Sequence, residues 1–386
     1  MEVIYVDHAA TSPVHPDVIN EMLPFFNEHY GNPSSIHQIG RRARQAVDEA
    51  RNVIAKLLQT TPQSLVFTSG GTEADNLALF GAAFSQQEKG KHIITTKIEH
   101  HAVLHTCQQL EELGFEVTYL PVDETGKISV QGLQNELRDD TILVSIMYGN
   151  NEVGTVQPIN QVGELLREHQ ALFHCDAVQA CGVIPLNMNE LPVDLLSISA
   201  HKINGPKGIG LLYIKEGIHL QPSLYGGEQE RKRRAGTENV AGIVGFSKAM
   251  QLTNEAVQQK TEKYQQLSYL FYQRLEEEQV EFFVNGHQSD RLPHIFNVSF
   301  PNINIESLLM NLDLAGIAAS SGSACTAGSV EPSHVLLAMH GDKKERVESA
   351  IRFSFGLNNT IKQINFAASE TAKIVKRLQQ QSMFID

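Results

Sequence analysis

Between residues 64 and 199 the chain alternates short apolar runs with stretches of helical spacing. The runs are 64–68 (SLVFT), 92–96 (HIITT), 116–120 (EVTYL), 142–147 (ILVSIM), 171–175 (ALFHC) and 195–199 (LLSIS). They are nearly continuous apolar segments, the pattern of strands buried on both faces. The segments between them, 72–88, 102–113, 129–137 and 159–169, have the spacing of helices that cover a sheet. This alternation predicts an α/β fold whose mostly parallel sheet lies between helices. In such sheets a ligand sits beyond the carboxyl ends of the strands, so the residues just after each run are the candidates for chemistry. Residues 239–278 are polar, helically spaced and free of proline, which predicts long helices leaving the first unit. Strands at 282–284, 294–300 and 317–319 and helices at 305–312 and 362–381 then predict a smaller α+β domain. The expected division is 15–257 for the large domain, and 1–14 together with 258–386 for the small one.

Composition narrows the function classes. The chain has 386 residues, 41% apolar and 19% charged, which suits a folded protein with a sizeable core. It carries 31 basic and 44 acidic residues, a formal charge of −13, so stable nucleic-acid binding is not expected. The one strongly basic run is 231–234 (RKRR), which reads as a solvated face or an anion site. No run of about 18 uncharged apolar residues occurs, and no direct membrane binding is expected. The opening MEVIYVDHAATSP has neither a basic nor an apolar leader region, which makes the cytoplasm the expected location. Cys107, Cys175, Cys181 and Cys325 show no metal-binding spacing, so neither a disulfide framework nor a resident metal is expected. Three of them sit among apolar neighbours and read as small buried hydrophobes. Cys325 instead lies in a run of small residues, 318–329 (AASSGSACTAGS), which suggests an exposed, mobile loop. On local sequence alone, an incidental thiol and a reactive one are equally well supported there.

Three strand ends carry candidate chemistry. After SLVFT come Ser69, Gly70, Gly71 and Thr72 and then a helical pattern. A helix start with free N–H groups binds anions, although such a turn is also an ordinary helix cap. After ALFHC comes Asp176, which can cap a helix or hold a cationic ligand. After LLSIS comes Ser199-Ala200-His201-Lys202, followed by a Gly/Pro turn. A phosphate cradle, a carboxylate and an amine meeting in one crevice are the parts that hold pyridoxal phosphate.

The motifs extend along nearly the whole chain: 7–13 (DHAATSP), 31–37 (GNPSSIH), 68–76 (TSGGTEADN), 99–103 (EHHAV), 150–154 (NNEVG), 176–179 (DAVQ), 199–202 (SAHK), 205–210 (GPKGIG), 234–239 (RAGTEN), 320–325 (SSGSAC) and 351–356 (IRFSFG). On these motifs the sequence resembles the cysteine desulfurases of the NifS/IscS family, class V aminotransferase-like enzymes of fold-type I that use pyridoxal 5'-phosphate. The resemblance implies removal of sulfur from L-cysteine to give L-alanine and a persulfide on Cys325, passed on to a sulfur-acceptor protein. It implies that Lys202 bonds to the cofactor and moves the substrate's Cα proton. Asp176 would pair with the ring nitrogen, and His100 would stack on the ring and handle a substrate proton. Gln179 and Asn151 would contact the ring oxygen or the substrate. Gly71, Thr72, Ser199 and His201 would hold the phosphate. Thr237 would reach the phosphate of a neighbouring subunit, which implies a homodimer. Arg352 would clamp the substrate carboxylate, with Asn32 as a second candidate for that task. Cys325 is also the residue that would transiently ligate an iron–sulfur cluster. Selenocysteine lyases and cysteine-sulfinate desulfinases share most of these motifs. Tyr225, Glu228 and Lys232 depart from the family's usual HGGGQERGxRxGT, and the ending QQQSMFID does not match the tail with which the IscS branch docks its scaffold. Iron–sulfur assembly, tRNA thiolation and cofactor supply all remain open as destinations of the sulfur.

Overall fold

The structure, a computed structural model, describes residues 3–321 and 332–382. Its strands are β1 (Ile4–Tyr5), β2 (Leu65–Thr68), β3 (His92–Thr96), β4 (Glu116–Leu120), β5 (Thr141–Ser145), β6 (Leu172–Asp176), β7 (Leu195–Ser199), β8 (Gly210–Ile214), β9 (Phe283–Asn285), β10 (Ile295–Ser299), β11 (Ile317–Ala318) and β12 (Ala350–Ser354). Seven of them form one sheet in the order β2-β8-β7-β6-β5-β3-β4. Neighbours from β7 through β4 pair in parallel, while β8 runs antiparallel to both β7 and β2. β2, β3, β5, β6, β7 and β8 are buried at every position. That is why the sequence reads there as apolar runs rather than alternation. The architecture is the expected α/β class.

The reversed strand β8 was not anticipated. A strand–helix rhythm implies a helix before each new strand, but β8 returns directly through the turn at 205–209. Its first residue must be small. A Cβ on Gly210 would lie 2.6–2.8 Å from the backbone of Gly70. The antiparallel strand thus presses against the turn that opens the helix Gly71–Gln86.

Helices close both faces. The helix Gln38–Leu57, also unanticipated, buries Ala43, Val47, Ala50 and Ile54 on one stripe. It packs against a single unbroken helix, Val240–Glu277, where the sequence suggested several. The first half of that long helix covers the large sheet. Farther on, Phe271 stacks with Phe296 on β10 and Phe353 on β12, inside a three-stranded antiparallel sheet ordered β12-β10-β9. One helix therefore serves two cores and runs through position 257 without a break. The amino-terminal strand β1 crosses to pair with β11, and residues 7–13 lie beside β12 and over Lys202.

An ion pair deep in the packing fixes a strained loop. Glu230, Arg231 and Lys232 have φ of 45°, 56° and 66°, a left-handed run without glycine. Glu230 is buried; one carboxylate oxygen accepts from Arg51 at 2.5 Å and the other from the Phe67 N–H at 3.1 Å. We expect Glu230→Ala to destabilise the fold by about 3 kcal/mol, because it leaves the buried Arg51 charge unpaired. Urea denaturation reads this directly, and an unchanged midpoint would contradict it.

Candidate active site

The carboxyl ends of the parallel strands meet at a cavity of about 310 Å³. Each end delivers a different group. β6 ends on Asp176, and β7 runs into a single turn carrying His201 and Lys202. β2 leads to the start of the helix Gly71–Gln86, and β3 leads to His100. Beyond β5 lies Asn151, and Arg352 comes across from β12 of the smaller sheet. Of the residues singled out by sequence, Gly71, Thr72, His100, Asn151, Asp176, Gln179, Ser199, His201, Lys202 and Arg352 all line this one cavity.

The amine is held in place. Lys202 Nζ donates to the carbonyls of Ala9 at 2.5 Å and Ala10 at 2.8 Å, so residues 7–13 form its ceiling. Gln179 Nε2 donates to the same Ala9 carbonyl at 2.9 Å. Asp176 Oδ1 accepts from the Val178 N–H at 2.9 Å. Burial raises the Asp176 carboxyl to about 6, opposed by that hydrogen bond and by the Lys202 charge. At neutral pH it is a carboxylate. His100 caps the helix His101–Glu112, its Nδ1 accepting from the Ala102 N–H at 3.1 Å, which leaves the proton of the neutral ring on Nε2. Burial, and then the charge of Lys202, lowers its pKa to about 4, so the ring is neutral under ordinary conditions.

Arg352 is buried. Its Nη2 donates to Asp7 Oδ1 at 2.7 Å and its Nη1 to the Asn151 carbonyl at 2.8 Å, while its buried Nε has no partner. An adjoining recess shares Gly71, Thr72, Ser199 and His201 and adds Lys207 and Gly208. The Ser199 hydroxyl in it is buried and has no hydrogen-bond partner. The helix start beside it offers the N–H groups and positive dipole end that suit an anion.

Two expected residues stand apart. Asn32 is exposed, and its side chain accepts from the Ser34 N–H. Thr237 is exposed in a separate recess with Arg234 and Glu238. Cys325 lies outside the described residues. Conversely, Asp75 lines the cavity and Asp7 grips Arg352, and sequence reasoning assigned neither. Both lie inside motifs already noticed, so the signal was a carboxylate among residues picked for other reasons.

Residues 4–366 match the family model described as aminotransferase class-V. The chain belongs to the aminotransferase class-V family. Among curated relatives, the "Putative cysteine desulfurase IscS 1" of Bacillus subtilis is 57% identical, with 98% of this chain and all of that protein covered. The "Cysteine desulfurase IscS" of Dictyoglomus turgidum is 48% identical over 97% of this chain and 95% of its own length. Among solved structures, a "NIFS-LIKE PROTEIN" superposes with a TM-score of 0.92 at 37% identity, covering 97% of this chain and all of that one.

Pyridoxal 5'-phosphate, the cofactor of this enzyme class, fits the donor set. The unpartnered Ser199 hydroxyl and the helix start suit its phosphate, the buried Asp176 carboxylate suits a protonated ring nitrogen, and the Lys202 amine suits its aldehyde. Among the described residues, no group of three or more His, Cys, Asp or Glu is placed to hold a metal ion. No helix among them is long and apolar enough to cross a membrane.

Beneath the site Glu99 is fully buried. Its Oε1 accepts from Thr96 Oγ1 at 2.8 Å and from the Met147 N–H at 3.0 Å, and its Oε2 has no partner. Burial pushes its pKa up from 4.5 to about 8. Between those values the folded chain keeps a proton that the unfolded chain has lost. Stability therefore falls as pH rises through this window, by at most about 1.4 kcal/mol per pH unit. Glu99→Gln keeps the shape and cannot ionise. We expect it to gain stability relative to wild type between about pH 5 and about pH 9. Denaturation curves that stay parallel across that range would contradict the assignment.

Proposed function

We propose that this chain is a cysteine desulfurase in which the residues gathered at the cavity take the roles that follow. The observation that carries the reading is that Lys202, Asp176 and Arg352 line one cavity, in a chain 57% identical end to end with a relative named for this activity. The substrate is L-cysteine and the product is L-alanine. Bound in the cavity, pyridoxal 5'-phosphate supplies an aldehyde that links to the substrate amine and a protonated ring that stabilises negative charge at the substrate carbon. The chain's own groups do the rest.

Arg352 binds the substrate carboxylate, a task for which a guanidinium offers two parallel donors. Lys202, tethered by the Ala9 and Ala10 carbonyls, is aimed into the cavity and transfers the proton at the substrate Cα. Asp176 holds the proton on the ring nitrogen. A carboxylate buried beside a cation is favoured as a charge, and this one has Lys202 to keep it ionised. His100 is neutral and forms a wall of the cavity, so it offers a proton through Nε2 without adding a second positive charge beside Lys202. Asn151 and Gln179 orient the ring oxygen or the substrate, and Gly71, Thr72, Ser199 and His201 hold the phosphate.

Cys325 is the nucleophile of this reading, on the strength of the SSGSAC motif. Its thiolate attacks the substrate sulfur, so an S–S bond forms and the Cβ–S bond breaks. The substrate thiol's hydrogen balances the product, and L-cysteine plus a thiol becomes L-alanine plus a persulfide with no external oxidant. The persulfide passes to an acceptor protein serving iron–sulfur clusters, tRNA thiolation or cofactor synthesis. The chain acts in the cytoplasm as a homodimer. Unpaired, buried Cys107, Cys175 and Cys181 support a reducing compartment. Exposed Ile19, Leu23, Phe26, Tyr30 and Ile36 support a second copy covering this side, with Thr237 reaching the partner's phosphate.

Cys325→Ala should retain the cofactor's absorbance and form no alanine from cysteine; full alanine production would remove Cys325 from its role. Arg352→Ala should raise KM for cysteine by roughly tenfold or more, through loss of charge-assisted bonds. An unchanged KM would place carboxylate recognition elsewhere.

A further inference from the structure

The floor of the cavity contains more carboxylic acid than the reading above uses. Asp75 projects from the first turns of the helix Gly71–Gln86, lines the cavity, and is 1% exposed. Its Oδ1 has no hydrogen-bond partner. The groups facing it are the Asp176 and Glu99 carboxyls, the Cys175 thiol, the Ser197 hydroxyl and the His174 imidazole. His174 Nε2 stands 3.6 Å from Asp75 Oδ1 and 3.0 Å from Ser197 Oγ, and its Nδ1 is 2.8 Å from Ser145 Oγ. This chain of polar side chains crosses three adjacent strands, β5, β6 and β7, at the level of Asp176. Register explains it: Ser145 pairs with His174, and Asp176 with Ser197. His174 and Asp176 are two apart on β6 and so share a face.

Nothing in this floor supplies Asp75 with a positive charge. His174 is fully buried and its pKa is driven down to about 3, so it stays neutral. The Lys202 charge acts on Asp176. Two carboxylates this close in a dry site do not both ionise, and the one facing the amine takes the charge. Burial and the Asp176 charge accordingly hold the Asp75 carboxyl well above its usual range.

We propose that Asp75 is a positioning residue for Asp176: it stands in the cavity floor as an uncharged acid, anchored by the Ser197–His174–Ser145 chain, and leaves Asp176 the single negative charge beneath the cofactor ring. A second negative charge there would compete for the ring's proton and for Lys202, and an apolar residue would leave the Asp176 carboxylate without its polar floor. The inference rests on the reading of Asp176 as the partner of the ring nitrogen.

The test uses cofactor-free protein titrated with pyridoxal 5'-phosphate across a range of pH, with Asp75→Asn, Asp75→Ala and Asp176→Asn beside wild type. Asp75→Asn keeps the shape and the neutral donor, so its affinity and the pH midpoint of its binding should match wild type. Asp75→Ala should bind about tenfold more weakly, the equivalent of one lost buried hydrogen bond. If Asp75→Asn shifts the pH midpoint or weakens binding as Asp75→Ala does, the residue works as a charge and the proposal fails. If Asp75→Ala binds like wild type, the residue is idle and the proposal fails while Asp176 keeps its role. If Asp176→Asn also binds like wild type, the reading of Asp176 itself is wrong and the inference falls with it.

Discussion

A buried carboxylate opposite a tethered amine is the constraint around which this molecule is arranged. Asp176 ends β6, and Lys202 follows β7, the next strand in the sheet. Parallel pairing of the two strands is what brings their carboxyl ends to the same level. An ionised carboxyl so deeply buried is costly unless a cation and hydrogen bonds offset it. The Lys202 charge and the Val178 N–H do so here. Much of the surrounding chain keeps these two groups in register. The helix start at Gly71, the turn before β8 and the crossing segment 7–13 each fix one side of the space between them.

The crossing segment also joins the two sheets chemically. Residues 9 and 10 hold Lys202 through their carbonyls, while Asp7, two residues earlier, holds Arg352 on β12 of the smaller sheet. A displacement of β12 relative to the large sheet would therefore be felt at both the amine and the guanidinium. The long helix Val240–Glu277 resists such a displacement, since it is packed into both cores. The cavity's shape is in this sense a property of the whole chain, although its chemistry comes from a handful of side chains.

The legibility of the sequence followed burial. β2, β3, β5, β6 and β7 were readable because their positions are buried throughout, and Asp176 and Lys202 stood out as polar residues just past such runs. The strand β8 was hidden because its run LLYI follows β7 without the helix that a parallel connection requires. The helix Gln38–Leu57 has a clear stripe in Ala43, Val47, Ala50 and Ile54, but arginines and glutamates between them mask it when apolar runs are sought. Asn32 and Thr237 came from the resemblance alone, and in a single chain both lie outside the cavity. The polar chain of Ser145, His174, Ser197 and Asp75 left no trace at all. Each member sits singly in an otherwise apolar stretch, and only the strand register brings them together.

That register also explains why polar residues are tolerated in the middle of a parallel sheet. Toward the amino ends of the strands the same face carries Ile93, Leu143, Leu172 and Leu195, an apolar cluster under the helix Gly71–Gln86. The polar residues come in only over the last turn of the pleat, next to the cavity, where they can satisfy one another and where a ligand's charge makes a polar floor useful. A wholly apolar floor would be cheaper to fold but would leave Asp176 with no hydrogen-bonding neighbours beyond its own loop. The division of one sheet face into an apolar half for stability and a polar half for function is thus set by distance from the strand ends, the same geometric fact that places the cavity itself.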